Sequence, residues 1–516
     1  MPFQTTPEID FSAVGLVTDV PSHSLPEGAW SNSLNLRCKD GSVQGVNIFK
    51  DDFVLHDTDA VISGGKAMAV TQFTPAGYNY LIIAYIVKGT DNYGHVVTYN
   101  TNTSAYDDIT NSTANLKFTF DDKYPPQIFV FNELLIVNPA VDAPPQFTDA
   151  GISSGSLNIV PSWQTDSDAA PLVTRSLKPF NNRLMAMNIF EEHTSSTADD
   201  VNLPIDILWS SHITGIGALT NVEWTASTTN TAGDAFAVET PGKILDGGQL
   251  GEFFIAYKSD SVIRVIETGD SFVLGFESIF EDDGIYSTRC FANIGDAQHL
   301  VVGNYGVYIH DGQSQKQDIA KGVFQDTIFD LVKAVEKDRA FCFQQTRDKE
   351  VWFCFSSTAN TALGCDLAFV YDYNEQKLHK RSLPGLSDIF EAELNGELKI
   401  YAAKPNDTKI QTLSSTEYES DGWFVKENDN LSDNNSVKQV NEIYVNSVGN
   451  AKISLVGTQH LNDTKTYSLS TFNPTSAFKV DLRATGRYMN LKVQMDGDTN
   501  PKLGKLQFDV RLAGKR

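Results

Sequence analysis

The sequence predicts an all-β fold: a β-propeller of six or seven blades with an extended N-terminal arm and a small C-terminal β domain. Three observations carry that reading. Apolar runs of four to eight residues, rich in Val, Ile, Phe and Tyr, alternate along the 516 residues with clusters of Gly, Asn, Asp and Ser, which is the pattern of strands and turns. Hairpin-like units recur roughly 40 to 70 residues apart, the spacing of propeller blades with unequal loops. Only one stretch, residues 322–337 (GVFQDTIFDLVKAVEK), places its apolar residues at helical spacing, through Phe324, Ile328, Leu331, Val332 and Val335.

The units follow in order. They are YLIIAYIV at 80–87, IFVFNELLIV at 128–137, residues 184–189 after Asn181 and Asn182, and FFIAYKSDSVIRVI at 253–266. LVVGNYGVYIHDG at 300–312, AFCFQQTRDKEVWFCF at 340–355 and LNGELKIYAA at 394–403 complete the set. Short polar breaks inside several of them allow antiparallel reversal. Residues 95–110 and 368–384 resemble one another, each with an apolar strand, a Tyr99-Asn100 or Tyr371-Asp372 step, a polar turn and a second strand. That pattern predicts the outer hairpin of a blade, with Asn or Asp capping the turn through its own side chain.

The ends differ from the middle. Residues 1–60 form a Pro-punctuated arm and β segment, 61–415 the propeller, and 416–516 a β-sandwich-like domain reached through an Asn/Asp-rich linker. In the last part Leu491, Val493 and Met495 alternate with Lys492, Gln494 and Asp496, as a strand with one buried face requires.

Charge narrows the function. Forty Lys and Arg face 65 Asp and Glu, a net charge of -25 that repels phosphate and anionic lipid and disfavours tight nucleic-acid binding. The last stretch is the exception: Lys502, Lys505, Arg511, Lys515 and Arg516 face only Asp509, which suits docking to an acidic partner. The five cysteines lack any C-x-x-C spacing and read as reduced, buried thiols; Cys342 and Cys354 are placed to face each other across a hairpin. The N-terminus lacks a secretory pattern and no apolar run is long enough for a membrane helix, so the expectation is a soluble, cytoplasmically made product without membrane insertion.

Reactive constellations are weak. Asp51-Asp52, Asp107-Asp108, Asp121-Asp122, Asp199-Asp200 and Glu281-Asp282-Asp283 sit in turn-like contexts suited to capping rather than to glycoside cleavage. His299 and His310 lie on two strands of one hairpin without a third metal ligand, and Asp496-Gly497-Asp498 and the Asp372 to Glu375 turn fall short of a calcium loop. Neither a G-x-S-x-G elbow nor a phosphate-binding loop is present. The reading is therefore non-enzymatic, with no cofactor and no metal. The rival is a propeller that binds or cleaves surface glycan, with Trp209 and Trp224 as stacking platforms.

Residues 15–41, GLVTDVPSHSLPEGAWSNSLNLRCKDG, resemble the opening of tail nozzle, tail-hub or DNA-stabilisation proteins of short-tailed phages (podoviruses). Those proteins begin with G-[IL]-x-[TN]-D-x-P, matched by Gly15, Leu16, Thr18, Asp19 and Pro21, and continue through L-P-x-G-A-W-[ST]-x-x-x-N-[VL]-R to a D-G turn. Leu25, Pro26, Gly28, Ala29, Trp30, Asn35, Leu36 and Arg37 match the second part, and Asp40-Gly41 the turn. Gly486, Arg487 and Tyr488, with FDVRLAGKR at 508–516, are similar to the family's closing strands. The resemblance implies a structural protein of the virion tail, assembled in the host cytoplasm as a homo-oligomeric, hexameric ring. Its partners would be adaptor proteins and tail fibres or a needle, with viral double-stranded DNA passing transiently. Read without the family, Pro26 and Gly28 set a turn that presents Trp30 as an anchor, and Arg37 is fit to fork onto a carboxylate.

Overall fold

A computed structural model describes residues 4–515 except 55, 58–59, 62–65, 76–80, 88–92, 112–116, 122, 149–151, 153–154, 166–169, 192–200, 220–221, 270–271, 296, 395, 406, 432, 434 and 498–499. Seven antiparallel four-stranded sheets follow one another and form the blades of a propeller. Numbered in chain order, blades 1 to 6 span residues 66–108, 127–159, 173–236, 244–280, 291–318 and 341–386. Blade 7 takes three strands from residues 388–418 and its outermost strand, Asn47–Val54, from the N-terminal part of the chain. Each of the seven apolar units read from the sequence falls in a different blade.

Closure by a distant strand leaves the circle without a loose final edge, which satisfies the backbone donors and acceptors that an open blade would expose. The seam between blades 7 and 1 is tied by Gln72, whose amide donates to the Glu393 carbonyl oxygen at 2.8 Å while its own oxygen accepts the Glu393 N–H at 3.1 Å. The hydrophobic core is correspondingly a circle of clusters between blades. One joins blades 1 and 2 around Phe73 and Leu135, and another joins 2 and 3 around Leu134 and Leu184. A third joins 3 and 4 around Trp209 and Phe254. Blades 6 and 7 meet around Trp352 and Ile400, and 7 and 1 around Tyr401 and Val97.

Near the axis a polar chain runs from blade to blade. The Gln127 side-chain oxygen accepts the Leu177 N–H at 2.7 Å, and Ser176 Oγ donates to Asp246 Oδ1 at 2.8 Å. Asp246 Oδ2 accepts the Arg289 N–H at 2.9 Å, and the Arg289 guanidinium donates to Asp388 Oδ1 at 3.1 Å. Asp388 Oδ2 then accepts the Val70 N–H of blade 1 at 3.0 Å. A fully buried carboxylate such as Asp246 is tolerable because donors surround it: the Gly247 N–H of its own strand at 2.9 Å, with Ser176, Arg289 and Lys178 supplied by neighbouring blades.

The predicted outer hairpins are the third and fourth strands of blades 1 and 6, Gly94–Asn100 with Ala105–Asp108 and Cys365–Asp372 with Lys377–Leu386. In both turns the predicted side chain accepts two backbone N–H groups: Asn100 Oδ1 from Asn102 and Thr103 at 3.0 and 3.2 Å, and Asp372 Oδ1 from Asn374 and Glu375, both at 2.9 Å.

Two expectations change. The helix is shorter than residues 322–337: it covers Gln325–Leu331, ends at Val332 in extended conformation, where the chain bridges to Ser357, and resumes as the 3-10 turn Ala334–Arg339. Val335, expected on the apolar stripe, is 85% exposed as a result. Residues 1–60 are also not a unit of their own. Strand Asn47–Val54 belongs to blade 7, whereas the preceding short strands complete the C-terminal sandwich, because an extended arm without a core is stable only by pairing with other edges.

That sandwich has two sheets. Gln4–Thr5, Glu8–Ile9 and Ser42–Gly45 pair with the last strand, Lys502–Lys515, and Leu36–Lys39 extends the same sheet. Asn32–Leu34 pairs with Trp423–Asp429 at the edge of the other. Tyr488–Met495 turns Leu491, Val493 and Met495 into the core, as their alternation predicts. One hydrophobic cluster runs without a break from this core through Trp30 to blades 4, 5 and 6. Among the described residues no helix is long and apolar enough to cross a membrane.

Candidate functional site

The residues singled out in the arm converge on the junction between propeller and sandwich. Gly28 adopts φ +77°, and a Cβ there would lie 2.2 Å from the Asp10 carbonyl oxygen, so only glycine fits this close crossing of two arm segments. The crossing drives Trp30 inward. Its ring is fully buried and stacks on Phe424 at 5.0 Å, while its indole N–H donates to the Phe11 carbonyl oxygen at 2.8 Å. The Pro26 carbonyl oxygen accepts from Lys426 Nζ at 2.7 Å, a buried ammonium whose pKa burial lowers. Pro21 precedes the 3-10 turn Ser22–Ser24 and accepts the Ser24 N–H at 2.8 Å.

Asp19 reaches over to the propeller. Its carboxylate accepts the Asp326 and Thr327 N–H groups at 3.0 and 3.3 Å and the Thr327 hydroxyl at 3.1 Å, so an arm residue caps the one α-helix among the described residues.

Arg37 Nη1 donates to two carboxylates of blade 6, Asp348 at 3.0 Å and Glu350 at 3.3 Å, and Lys39 adds a contact to Asp348 at 2.5 Å. Burial alone would push the Asp348 carboxyl up, but the Arg37 charge and the bonds from Lys39 and Arg37 hold it at about 2. Glu350 is more deeply buried and is pushed up by that burial, which Arg37 only partly opposes. Its Oε2 accepts from the Trp352 indole at 2.9 Å, and Arg381 lies 4.2 Å above the same indole ring while donating to the Asn47 carbonyl oxygen at 2.8 Å. Arm, blade 6 and the closing strand are thus locked through one cationic and aromatic stack. A polar cleft of about 760 Å³ opens beside it, lined in part by Lys39, Lys50, Arg347 and Lys399.

Arg487 and Tyr488 are not part of this lock. Arg487 is exposed between strand Lys479–Gly486 of one sheet and strand Tyr488–Met495 of the other, its N–H donating to the Thr458 carbonyl oxygen at 2.8 Å and its own carbonyl oxygen accepting from buried Lys438 at 2.6 Å. Tyr488 is half-buried next to it.

The weaker sequence candidates have structural partners. His299 and His310 stand directly opposite in register and share the Tyr257 hydroxyl, at 2.7 Å to His299 Nδ1 and 2.8 Å to His310 Nε2. Burial lowers their pKa values to about 4 and about 3, so both rings pack as neutral imidazoles. Asp51 is bonded to Lys409 and Gln411, Asp108 to His95, and Asp282 to Lys316, while Asp199-Asp200, Asp122 and Asp498 lie outside the described residues. Among the described residues no group of three or more His, Cys, Asp or Glu is placed to hold a metal.

Two further expectations are corrected. Cys342 stands opposite Phe353 and Cys354 opposite Phe341, so the two thiols point to opposite faces of the sheet instead of meeting. Trp209 and Trp224 are 5% and 1% exposed, buried in the clusters between blades 3 and 4 and blades 2 and 3, and present no open ring face for a sugar. Sequence reasoning missed Phe424, Lys426, Asp348, Glu350 and Arg381, the partners that make the lock. The cation-rich LHKRSLP stretch around Arg381 was their one visible trace.

The topology defines a seven-bladed β-propeller closed by an N-terminal strand and fused to a β-sandwich. No family model matches the chain, and no curated protein matches it. Among solved structures it is similar to the WD40 β-propeller domain of Doa1, at 8% identity and TM-score 0.37, covering 72% of this chain and 97% of that one. It is also similar to the Neurospora crassa Pan2 WD40 domain, at 9% identity and TM-score 0.36, covering 69% and 97%. The propeller assignment stands on the seven sheets themselves.

Proposed function

We propose that this protein is a structural component of a short-tailed phage tail, a nozzle or hub ring that acts by shape and charge and does no chemistry. The observation that carries the reading is the meeting of the two segments that resemble that family. Residues 15–41 and 486–516 lie at opposite ends of the sequence, yet Ser42–Gly45, just after the first, pairs with Lys502–Lys515 of the second, and both belong to one sandwich clamped on blade 6. A family signature confined to the clamp is expected if the propeller drifts in sequence while the assembly module keeps its geometry.

Charge supports the conduit role. Residues 47–418 hold 25 Lys and Arg against 49 Asp and Glu, so the propeller carries nearly the whole net charge of -25. A wall of this sign repels duplex DNA and lets it pass without sticking. The ring would be homo-oligomeric, with six copies the number implied by the resemblance, stacked on adaptor proteins and bearing fibres or a needle. The test is assembly: purified chain mixed with the adaptor of its own phage should give closed rings in negative-stain images. A chain that joins no tail complex under any of these conditions overturns the proposal.

A further inference from the structure

The C-terminal strand buries Leu503, Leu506, Phe508 and Val510 in the cluster that holds Trp30, whereas exposed Arg511 faces solvent, and strand register shows what lies beside it. Gln439 stands opposite both Arg511 and Thr485, Lys438 opposite Gly486, and Ser436 opposite Lys515. Arg483 and Arg511, both exposed, therefore lie on strands of a single sheet that flank Gln439 and its neighbours, and exposed Arg487 follows directly after Gly486 at the end of the same sheet. Residues 436–516 hold 12 Lys and Arg against 6 Asp and Glu, which makes this the one positive region of a chain of net charge -25.

The most acidic stretch of the propeller runs from the third strand of blade 3 through blade 4. Residues 201–283 contain 13 Asp and Glu against 3 Lys and Arg. The same rim shows large apolar side chains to solvent: Phe236 is 53% exposed, Val238 68% and Phe272 76%. Ala235 and Val273, the chain neighbours of Phe236 and Phe272, pack against one inter-blade cluster, so the exposed rings border the same seam. Asp234 and Glu239 flank them, both exposed. An apolar patch bordered by charge of one sign is the form of a docking surface, and its complement is apolar or neutral surface bordered by the other sign.

We propose that the basic end of the sandwich docks onto the acidic, aromatic-bordered rim of blades 3 and 4 of a second copy of this chain, head to tail. This rests on the ring reading above and names its contact. Within one copy the sandwich is anchored at blade 6 through Arg37 and Asp348, whereas blades 4 and 3 lie two and three positions away around the circle. Two unlike surfaces of one chain make a heterologous contact between copies, which closes into a ring when the rotation allows it. Propeller-to-propeller contact, in contrast, sets like charge against like.

The experiment compares full-length wild type, Arg483→Glu/Arg511→Glu and Asp234→Lys/Glu239→Lys by sedimentation velocity at low and high salt, alone and on the adaptor, with circular dichroism to verify folding. Each double variant is expected to weaken self-association at least tenfold. Mixing the two is expected to restore it through the exchanged charges, and high salt to weaken the wild type. Rings that form equally well with either reversal overturn this contact and leave the nozzle reading standing. A reversal that changes only retention of duplex DNA also overturns it, since the basic end is then a phosphate contact. A wild-type chain that never self-associates, alone or on the adaptor, overturns both.

Discussion

Trp30→Ala is the perturbation that most directly tests the clamp. The side chain is fully buried, stacked on Phe424 at 5.0 Å, and its N–H satisfies the Phe11 carbonyl oxygen at 2.8 Å. Truncating a buried Trp costs roughly 3 to 5 kcal/mol in lost burial and cavity formation. The Phe11 carbonyl, left without its donor, adds about 1 kcal/mol or more. A loss of about 4 kcal/mol corresponds to a fall of roughly 10 °C in the melting of a unit this size. The loss should fall on the sandwich and arm, because the inter-blade clusters do not contain Trp30 apart from the one it shares with blades 4, 5 and 6. Differential scanning fluorimetry with limited proteolysis reads both effects: a lower first transition, and cleavage of the arm within residues 1–46 before the blades are cut. Trp30→Phe, which keeps the stack and removes the donor, should cost only about 1 to 2 kcal/mol. An alanine variant that melts within about 2 °C of wild type with its arm still protected would refute the view that this ring anchors the junction.

Two further outcomes follow from single residues. Gly28→Ala brings a Cβ to 2.2 Å from the Asp10 carbonyl oxygen at φ +77°, whereas Gly41→Ala, at φ +67°, meets nothing within 4 Å; the first should therefore release the arm to protease and the second cost only about 1 kcal/mol of backbone strain, and equal melting temperatures for the two would contradict the crossing described here. Burial, and then the neighbouring Asp234, push the Asp206 carboxyl up from 3.8 to about 6, so its stabilising protonation is complete below 3.8 and lost as pH rises through 6. Asp206→Asn, which imitates the protonated acid, should stabilise the fold by up to about 3 kcal/mol at pH 7.5, with the gain fading as pH falls toward 4; urea unfolding across that range would show a flat difference if the carboxyl were not buried beside its neighbour.

Much of the site was visible as residues and little of it as partnerships. Gly28 and Trp30 stood out because a glycine after a proline and a large aromatic in a polar arm are locally conspicuous, and each has the role that its chemistry suggests. Arg37 was legible as a fork in search of carboxylates, but Asp348 and Glu350 lie more than 300 residues along the chain in an ordinary-looking hairpin turn. Asp19 stood in the Pro-bordered segment with no hint that it caps a helix of blade 6's approach, since the capped N–H groups belong to residues 326 and 327. The helix itself was overextended because its apolar spacing continues past Val332, whereas the bridge from Val332 to Ser357 breaks it.

By itself the sequence determined the strands, their inward faces, the seven hairpin units and the turns capped by Asn100 and Asp372, because all of these depend on side chains within a few residues of each other. Tertiary structure alone decided that Asn47–Val54 closes blade 7, that strands between Gln4 and Gly45 complete a sandwich made of strands between Trp423 and Lys515, and that buried charges such as Asp246 find donors on other blades. Strand pairing and charge compensation obey only distance in space, and an edge or a carboxylate accepts any partner of matching geometry however far away it lies in the chain.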